Sequence, residues 1–443
     1  MACNEESSKS QAFIQIAPFV ADVTPPLGSP IGEKKALRII DSLTARGIVL
    51  VGSGEPIVLC SVDWRNIENG ATDVWRNALA QAANTSRERV AVHHVHQHDA
   101  PRCDFDTDHI LSEYGLSGSY FDPEFAHLAI ENTATALRDS LQDLQQVSHI
   151  GIGKSRVKKV ASNRRILGED GRVRLVRFSR CKISEAREAP EGIVDPILRL
   201  LVFWNNAKPV SALSYYATHP ISYYDRGEVS TDFIGQARAL REKTIGDEFL
   251  HIHFNGAGGN VAAGKYNDGS ENMRPVLAGR IEEALKSSWE QQSKVSISPS
   301  EVEWITTQVN LPLHPDLNRQ RLNSILSDES LGKRPRVLAA RTLSYLNRRQ
   351  EGKDLEIGLL NLGPASILHM PGELFVEYQL AAQAMRPDRC ICLAAYGDAG
   401  PWYIGTASAY TEGGYEVSPE CSLVSSEAED VLLKAMRSLL IAV

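Results

Sequence analysis

The densest group of chemically capable side chains is HHVHQHDAP, residues 93–101. Neutral imidazole suits zinc, and its unperturbed pKa makes it a good proton carrier. Alternate residues of an extended segment share a face. That predicts His94, His96 and His98 on one side and His93 on the other. A His-x-His pair at a strand edge can present two imidazoles to one ion or one substrate. Two more groups of the right type stand far along the chain: His219 in ATHP, and Glu373 in Met370-Pro371-Gly372-Glu373, where a helix is predicted to begin. An acid at a helix start is also favoured by the helix dipole alone. Two histidines and a carboxylate from distant places match catalytic zinc chemistry, with three protein ligands and an open position for water. Near the C-terminus, YGDAGPWYIGTASAYTEGGYE (396–416) is a glycine- and tyrosine-rich loop. Its tyrosines read equally as hydroxyl donors or as packing aromatics.

These groups need a scaffold, and the apolar runs predict one. GIVLVG (47–52), PIVLCSVD (56–63), RVAVHHV (89–95), ILRLLVFW (197–204), PVSALSYYA (209–217), FLHIHF (249–254), EIGLLNL (356–362) and CICLAAY (390–396) have the length and β-branched content of buried strands. Helical spacing covers roughly 72–86, 232–244, 271–291, 335–349, 373–386 and 427–441, with another helix after the cap pair Asp122-Pro123. Strands interleaved with helices give an α/β class, with mixed sheets layered by flanking helices. The polar residues of interest follow the apolar runs: Asp63, His96, His98, His219 and Asn255. Side chains beyond strand ends are how such a scaffold assembles a site. The run NGAGGN (255–260) lacks phosphate-loop spacing and reads as close backbone approach to the substrate or metal. Asp99 reads as a substrate or ring-nitrogen contact, or as a turn acid. Asp232 reads as a ligand contact, or as the acid expected after Thr231 at a helix start. No repeat or linker divides the chain, so a single domain over 1–443 is expected, with 1–12 disordered.

A net charge of -8 argues against a nucleic-acid partner, which needs a basic face. No apolar run reaches the roughly 20 residues of a membrane-spanning helix, and MACNEESSKSQ lacks the apolar core of a secretory signal. Those features predict a cytoplasmic protein. The alternative is an exported protein or lipoprotein, with Cys3 at its processed start. The seven cysteines show no paired metal spacing and read as buried thiols.

Taken together, the segments resemble the neutral, non-lysosomal ceramidase family over most of the chain. ADVTPPLGSPIG, VHQHDAP, SNRR (162–165), EGIVDPILRLLVF, YYATHP, VSTDFIG (229–235), PGE and the tyrosine loop follow that family's order. The resemblance implies a neutral-ceramidase-like catalytic domain whose zinc ligands fall on His96, His219, Glu373 and Tyr403. It also implies that His98, Arg164 and Tyr415 contact the scissile amide and neighbouring hydroxyls. Departures accompany it. The family's proposed catalytic serine falls on Ala262 and the acid of that element on Asn260. Asp99-Ala100-Pro101 follows the second histidine in place of the family's glycine, and nothing matches the family's C-terminal β-sandwich.

The chemistry expected is hydrolysis by a zinc-activated water. Tyr403, Tyr415 or Arg164 would stabilise the developing oxyanion, and His98 would move the proton at a pKa near its natural value. Asp99, Asn255 and Asp232 are the candidate substrate contacts. The substrate expected is a small or lipid-like N-acyl compound. A metal-dependent glycoside hydrolase or lyase acting on a soluble sugar is the alternative, and a non-catalytic binding protein is the third reading.

Overall fold

The computed structural model describes residues 13–52, 54–246 and 248–441; the expectations for 1–12, including Cys3, lie outside them. Every apolar run named above becomes a strand, and the strands assemble into three principal sheets. The first runs in the order Gln145–Val147, Ile14–Asp22, Thr44–Val51, Ile57–Val62, Val90–His94. The second runs Leu250–Asn255, Lys208–Tyr216, Ile197–Asn205, His149–Arg156, Ser293–Ser296. The third has four strands, Val302–Val309, Leu355–Leu362, Ala365–His369 and Cys390–Ala394.

Each sheet is an antiparallel ribbon with one parallel pair at an edge. In the first sheet Val62 pairs with His94, in the second Tyr216 with Asn255, and in the third His369 with Ala394. Parallel pairs need long crossovers, and in all three the crossover contains a helix: Gly70–Ala83, Asp232–Ile245 and Val376–Met385. These edges face one another around a shared core that includes Leu59, Phe254, Ile252, Ile367 and Cys392. Strands buried on both faces read as continuous apolar runs, which is why they are legible in the sequence.

Beyond the strand ends the sheets are joined by backbone hydrogen bonds. His94 N donates to Tyr396 O (3.0 Å), Ala395 N to Asn255 O (2.9 Å) and Gly259 N to Leu374 O (2.8 Å). The C-terminal ends of the six parallel strands therefore open onto one place. Helices cover the outer faces, with Pro123–Ser140 against the first sheet, Met273–Glu290 against the second and Ala428–Ile441 against the third. Asp122 caps its helix as expected, accepting from Phe125 N at 3.1 Å.

Two local expectations are corrected. The helix predicted over 373–386 begins at Val376, and Glu373 lies in a two-residue strand paired in parallel with Tyr403–Ile404. Gly372, at φ 65°, turns the chain into that strand; Glu373 N then bonds Trp402 O at 2.8 Å, so the residue is committed to a sheet ladder. The alternation predicted through His98 stops at His94, where the strand ends; His96 adopts φ 75°. His94 is fully buried with neither ring nitrogen bonded, its ring centre 5.8 Å from that of His96.

Candidate metal centre

His96 and His219 reach the convergence point from the first and second sheets. The Nδ1 of His96 lies 2.8 Å from the carbonyl of Arg65, and the Nδ1 of His219 lies 2.6 Å from the carbonyl of Gly258. A carbonyl only accepts, so each Nδ1 carries the proton and each Nε2 lone pair is aimed inward. A hydrogen bond from the remote ring nitrogen is how metal-ligating histidines are commonly oriented. Both Nε2 atoms point at one oxygen of Glu373, at 3.2 Å from His96 and 3.1 Å from His219. Glu373 comes from the third sheet, so each sheet supplies one group.

Tyr403 is brought alongside Glu373 by the short parallel pair, and its hydroxyl lies 3.4 Å from His219 Nε2. His98 also belongs here: one ring nitrogen from each of His96, His98 and His219 lies within 4.8 Å of the others. Both nitrogens of His98 are buried without a hydrogen-bond partner.

The protonation states suit a cation. Burial, then Arg164, pushes His219 down to about 4, and burial, then Arg65, takes His98 well below the usual histidine range. Burial alone would raise the Glu373 carboxyl, but His96 and His219 hold it well below its ordinary value. A neutral imidazole, as at His219 and His98, and an ionised carboxylate are the forms in which such groups ligate. The expectation that His98 titrates near its natural value is corrected, because burial keeps it neutral at pH 7.

Arg164 closes one side. Its guanidinium donates to Tyr403 Oη (3.1 Å) and Gly259 O (3.2 Å) and lies 5.5 Å from the Tyr415 ring centre. Its Nε and the Tyr415 hydroxyl are buried without partners. Burial raises the Tyr403 and Tyr415 phenols despite Arg164. The NGAGGN turn does approach closely, since a Cβ on Gly259 would sit 2.3 Å from Glu373 O.

The other candidates stand further back. Asp99 accepts from Asp225 N at 2.9 Å through one oxygen and leaves the other unbonded. The Asn255 amide donates to Val95 O at 3.4 Å, and its own oxygen is unbonded. Asp232 starts its helix and accepts from Ser222 N and Phe233 N, with Arg274 3.6 Å away. Asp63 pairs with Arg238 in a buried bidentate contact of 2.7 and 3.0 Å.

A cleft of about 880 Å³ leads in, lined by His96, His98, Glu373 and Tyr403 on one side and by residues 30–35, 117–120 and 333–341 elsewhere. A smaller, mainly apolar pocket of about 210 Å³, lined by Leu317, Leu322, Ile325 and Ala339, shares Leu338, Trp402 and Glu420 with it.

No protein-family model and no curated protein sequence matches the chain. Solved structures do. A ceramidase complexed with C2 superposes with a TM-score of 0.70 at 16% identity, covering 98% of this chain and 75% of its own. Neutral ceramidase from Pseudomonas aeruginosa gives 0.69 at 17%, with the same coverage. The fold is that of the neutral ceramidases.

Within this neutral ceramidase fold, Ala262 is fully buried in a short strand, paired with Ser162 and bridged to His219. Asn260 accepts from Val376 N (2.9 Å) and donates to Glu377 (2.8 Å), tying the glycine turn to a helix. Sequence reading missed the carbonyls of Arg65 and Gly258, which no side-chain pattern signals. It also missed Tyr396, whose ring stacks 4.7 Å from that of His96. Its position at the head of the tyrosine loop was the available sign.

Proposed function

We propose that the protein is a zinc-dependent hydrolase of N-acyl compounds, acting as one catalytic unit across the described residues. The observation that carries this reading is the convergence of His96 Nε2 and His219 Nε2 on one Glu373 oxygen, with both Nδ1 atoms held by carbonyls. His96, His219 and Glu373 would hold the ion, with Tyr403 as a fourth contact and His98 near enough to take its place. The ion would supply a Lewis acid and lower the pKa of a bound water toward about 7.

The chain's own groups do the rest. Arg164, whose Nη1 lies 3.4 Å from His219 Nε2, and Tyr415 beside it are placed to meet charge developing on a carbonyl oxygen. His98, unbonded and with a ring nitrogen within 4.8 Å of those of His96 and His219, is placed to relay a proton from water to the leaving nitrogen. Ala262 offers no nucleophile, so the route is direct attack by water. The apolar pocket beside Trp402 and Leu338 suits a short acyl group better than a long chain. The two solved relatives, whose names say ceramidase, support an amide as the bond cleaved.

Elemental analysis tests the centre: about one zinc per chain is expected in the wild type and none in His219→Ala. Screening N-acyl amides under metal control then tests the bond. A second reading, a metal-dependent enzyme acting on a soluble sugar by hydrolysis or elimination, is favoured by the charged side chains lining the large cleft and by Tyr120 and Trp402 on its wall. Release of sugar from soluble glycosides, without amide turnover, would select it.

A further inference from the structure

The chain carries a net charge of -8, yet the cleft wall is basic. Seven lysines and arginines line it against three acids, and one of those acids is Glu373 in the candidate metal centre. Two of the seven are spent on carboxylates: Arg102 on Glu33 at 3.0 Å, and Arg341 on Glu68 at 2.6 Å. Lys34, Lys35, Arg65, Lys333 and Arg334 make no ion pair among the described residues.

Arg65 is the informative one. Its carbonyl holds the His96 ring, and its guanidinium lies beside His98, close enough that both its Nη1 and His98 O would be 3.1 Å from a Cβ on Gly32. It is half-buried beside a second guanidinium, Arg102. A half-buried guanidinium that makes no ion pair of its own is free to complete one with a ligand. Its planar fork matches oxyanions bidentately. The exposed Lys34, Lys35, Lys333 and Arg334 extend the same field to the mouth, where low-dielectric walls focus it.

We propose that this cleft selects a substrate bearing an oxyanion, a carboxylate, sulfate or phosphate, which Arg65 seats next to the metal centre and the mouth lysines attract. The inference rests on reading the cleft as the route to the His96–His219–Glu373 centre. It adds a charge requirement to either bond considered above.

Calorimetric titration tests it with two matched hydroxamates, succinic monohydroxamate and its neutral monoamide, on zinc-loaded protein at low salt. The hydroxamate reads the centre and the tail reads the wall. The anion is expected to bind about tenfold tighter, the preference falling below about twofold in Arg65→Gln, in the exposed pair Lys333→Gln/Arg334→Gln, and in high salt. Equal affinity of the two hydroxamates overturns the inference and leaves the centre standing. Binding of neither removes the centre, and the metal-free protein then decides. Glucuronate against glucose, and octyl sulfate against octyl glucoside, distinguish an acidic sugar from an anionic amphiphile. Preference for either anion, lost in the variants, supports the inference; preference for neither overturns it.

Discussion

Arg164 shows how a single residue takes its meaning from its neighbours. Alone it is a cation in SNRR; in place it bonds Tyr403, faces Tyr415 and braces the Gly259 carbonyl. Replacing it with Gln should lower kcat by roughly 10²–10³ with a smaller change in KM, because an aimed donor acts chiefly on the transition state. Steady-state kinetics with the metal content held constant would show this, and an unchanged kcat would remove Arg164 from the mechanism. His96→Ala should lose both the metal and the activity; full activity without metal would end the metal-centred account. The residue types at this site were readable from sequence, as were their positions past apolar runs. The ring orientations were not, since they depend on two backbone carbonyls from remote turns.

The elements hold these residues through close contact between short pieces of backbone. Gly259 lets its turn lie on the Glu373 strand, and a methyl there would meet Glu373 O at 2.3 Å. Gly259→Ala should therefore destabilise the protein by about 1–3 kcal/mol and weaken metal binding as Glu373 shifts, measured by denaturant unfolding and metal competition. Gly279, on the open face of the helix Met273–Glu290, has no atom within 4 Å of such a methyl. Gly279→Ala should instead stabilise by about 0.5–1 kcal/mol. The two substitutions are chemically identical in sequence and opposite in structure. The strands and helices named from the sequence followed hydrophobic periodicity closely. The misplaced start at Glu373 did not, because its ladder partner, Tyr403, lies thirty residues along the chain.

Across the whole molecule, buried polar pairs lock the layers together. Asp63, at the end of a first-sheet strand, is paired with Arg238 on the helix Asp232–Ile245 of the second layer. Asp63→Ala leaves the guanidinium buried without its partner and should cost about 3–5 kcal/mol. Burial raises Asp63, but Arg238 outweighs it and holds the carboxyl below its ordinary value. Its contribution is therefore present above pH about 4 and lost as pH falls through the lower folded value. Asp104 has the opposite sign. Burial, then Glu68, pushes it up to about 7, so its contribution is present below pH about 4 and lost as pH rises through about 7. Asp104→Asn should flatten that loss, seen as a smaller difference between urea midpoints at pH 5 and pH 8.

By itself the sequence determined the α/β class, eight of the fourteen strands in the three principal sheets and most helices, because burial on both faces imposes apolar runs of the right length and covering helices carry their own period. It also determined which side chains were capable of metal chemistry, because few other residue types are. Only the tertiary structure decided which of them meet. Three sheets place their parallel edges together, and that packing brings His96, His219 and Glu373 from just beyond the ends of three strands in those edge pairs to one point. The same packing sends Asp232 and Asp63 to buried arginines and brings the basic pairs 34–35 and 333–334 to the same cleft. Contacts between residues more than a hundred positions apart follow from how layers stack, which no local pattern encodes.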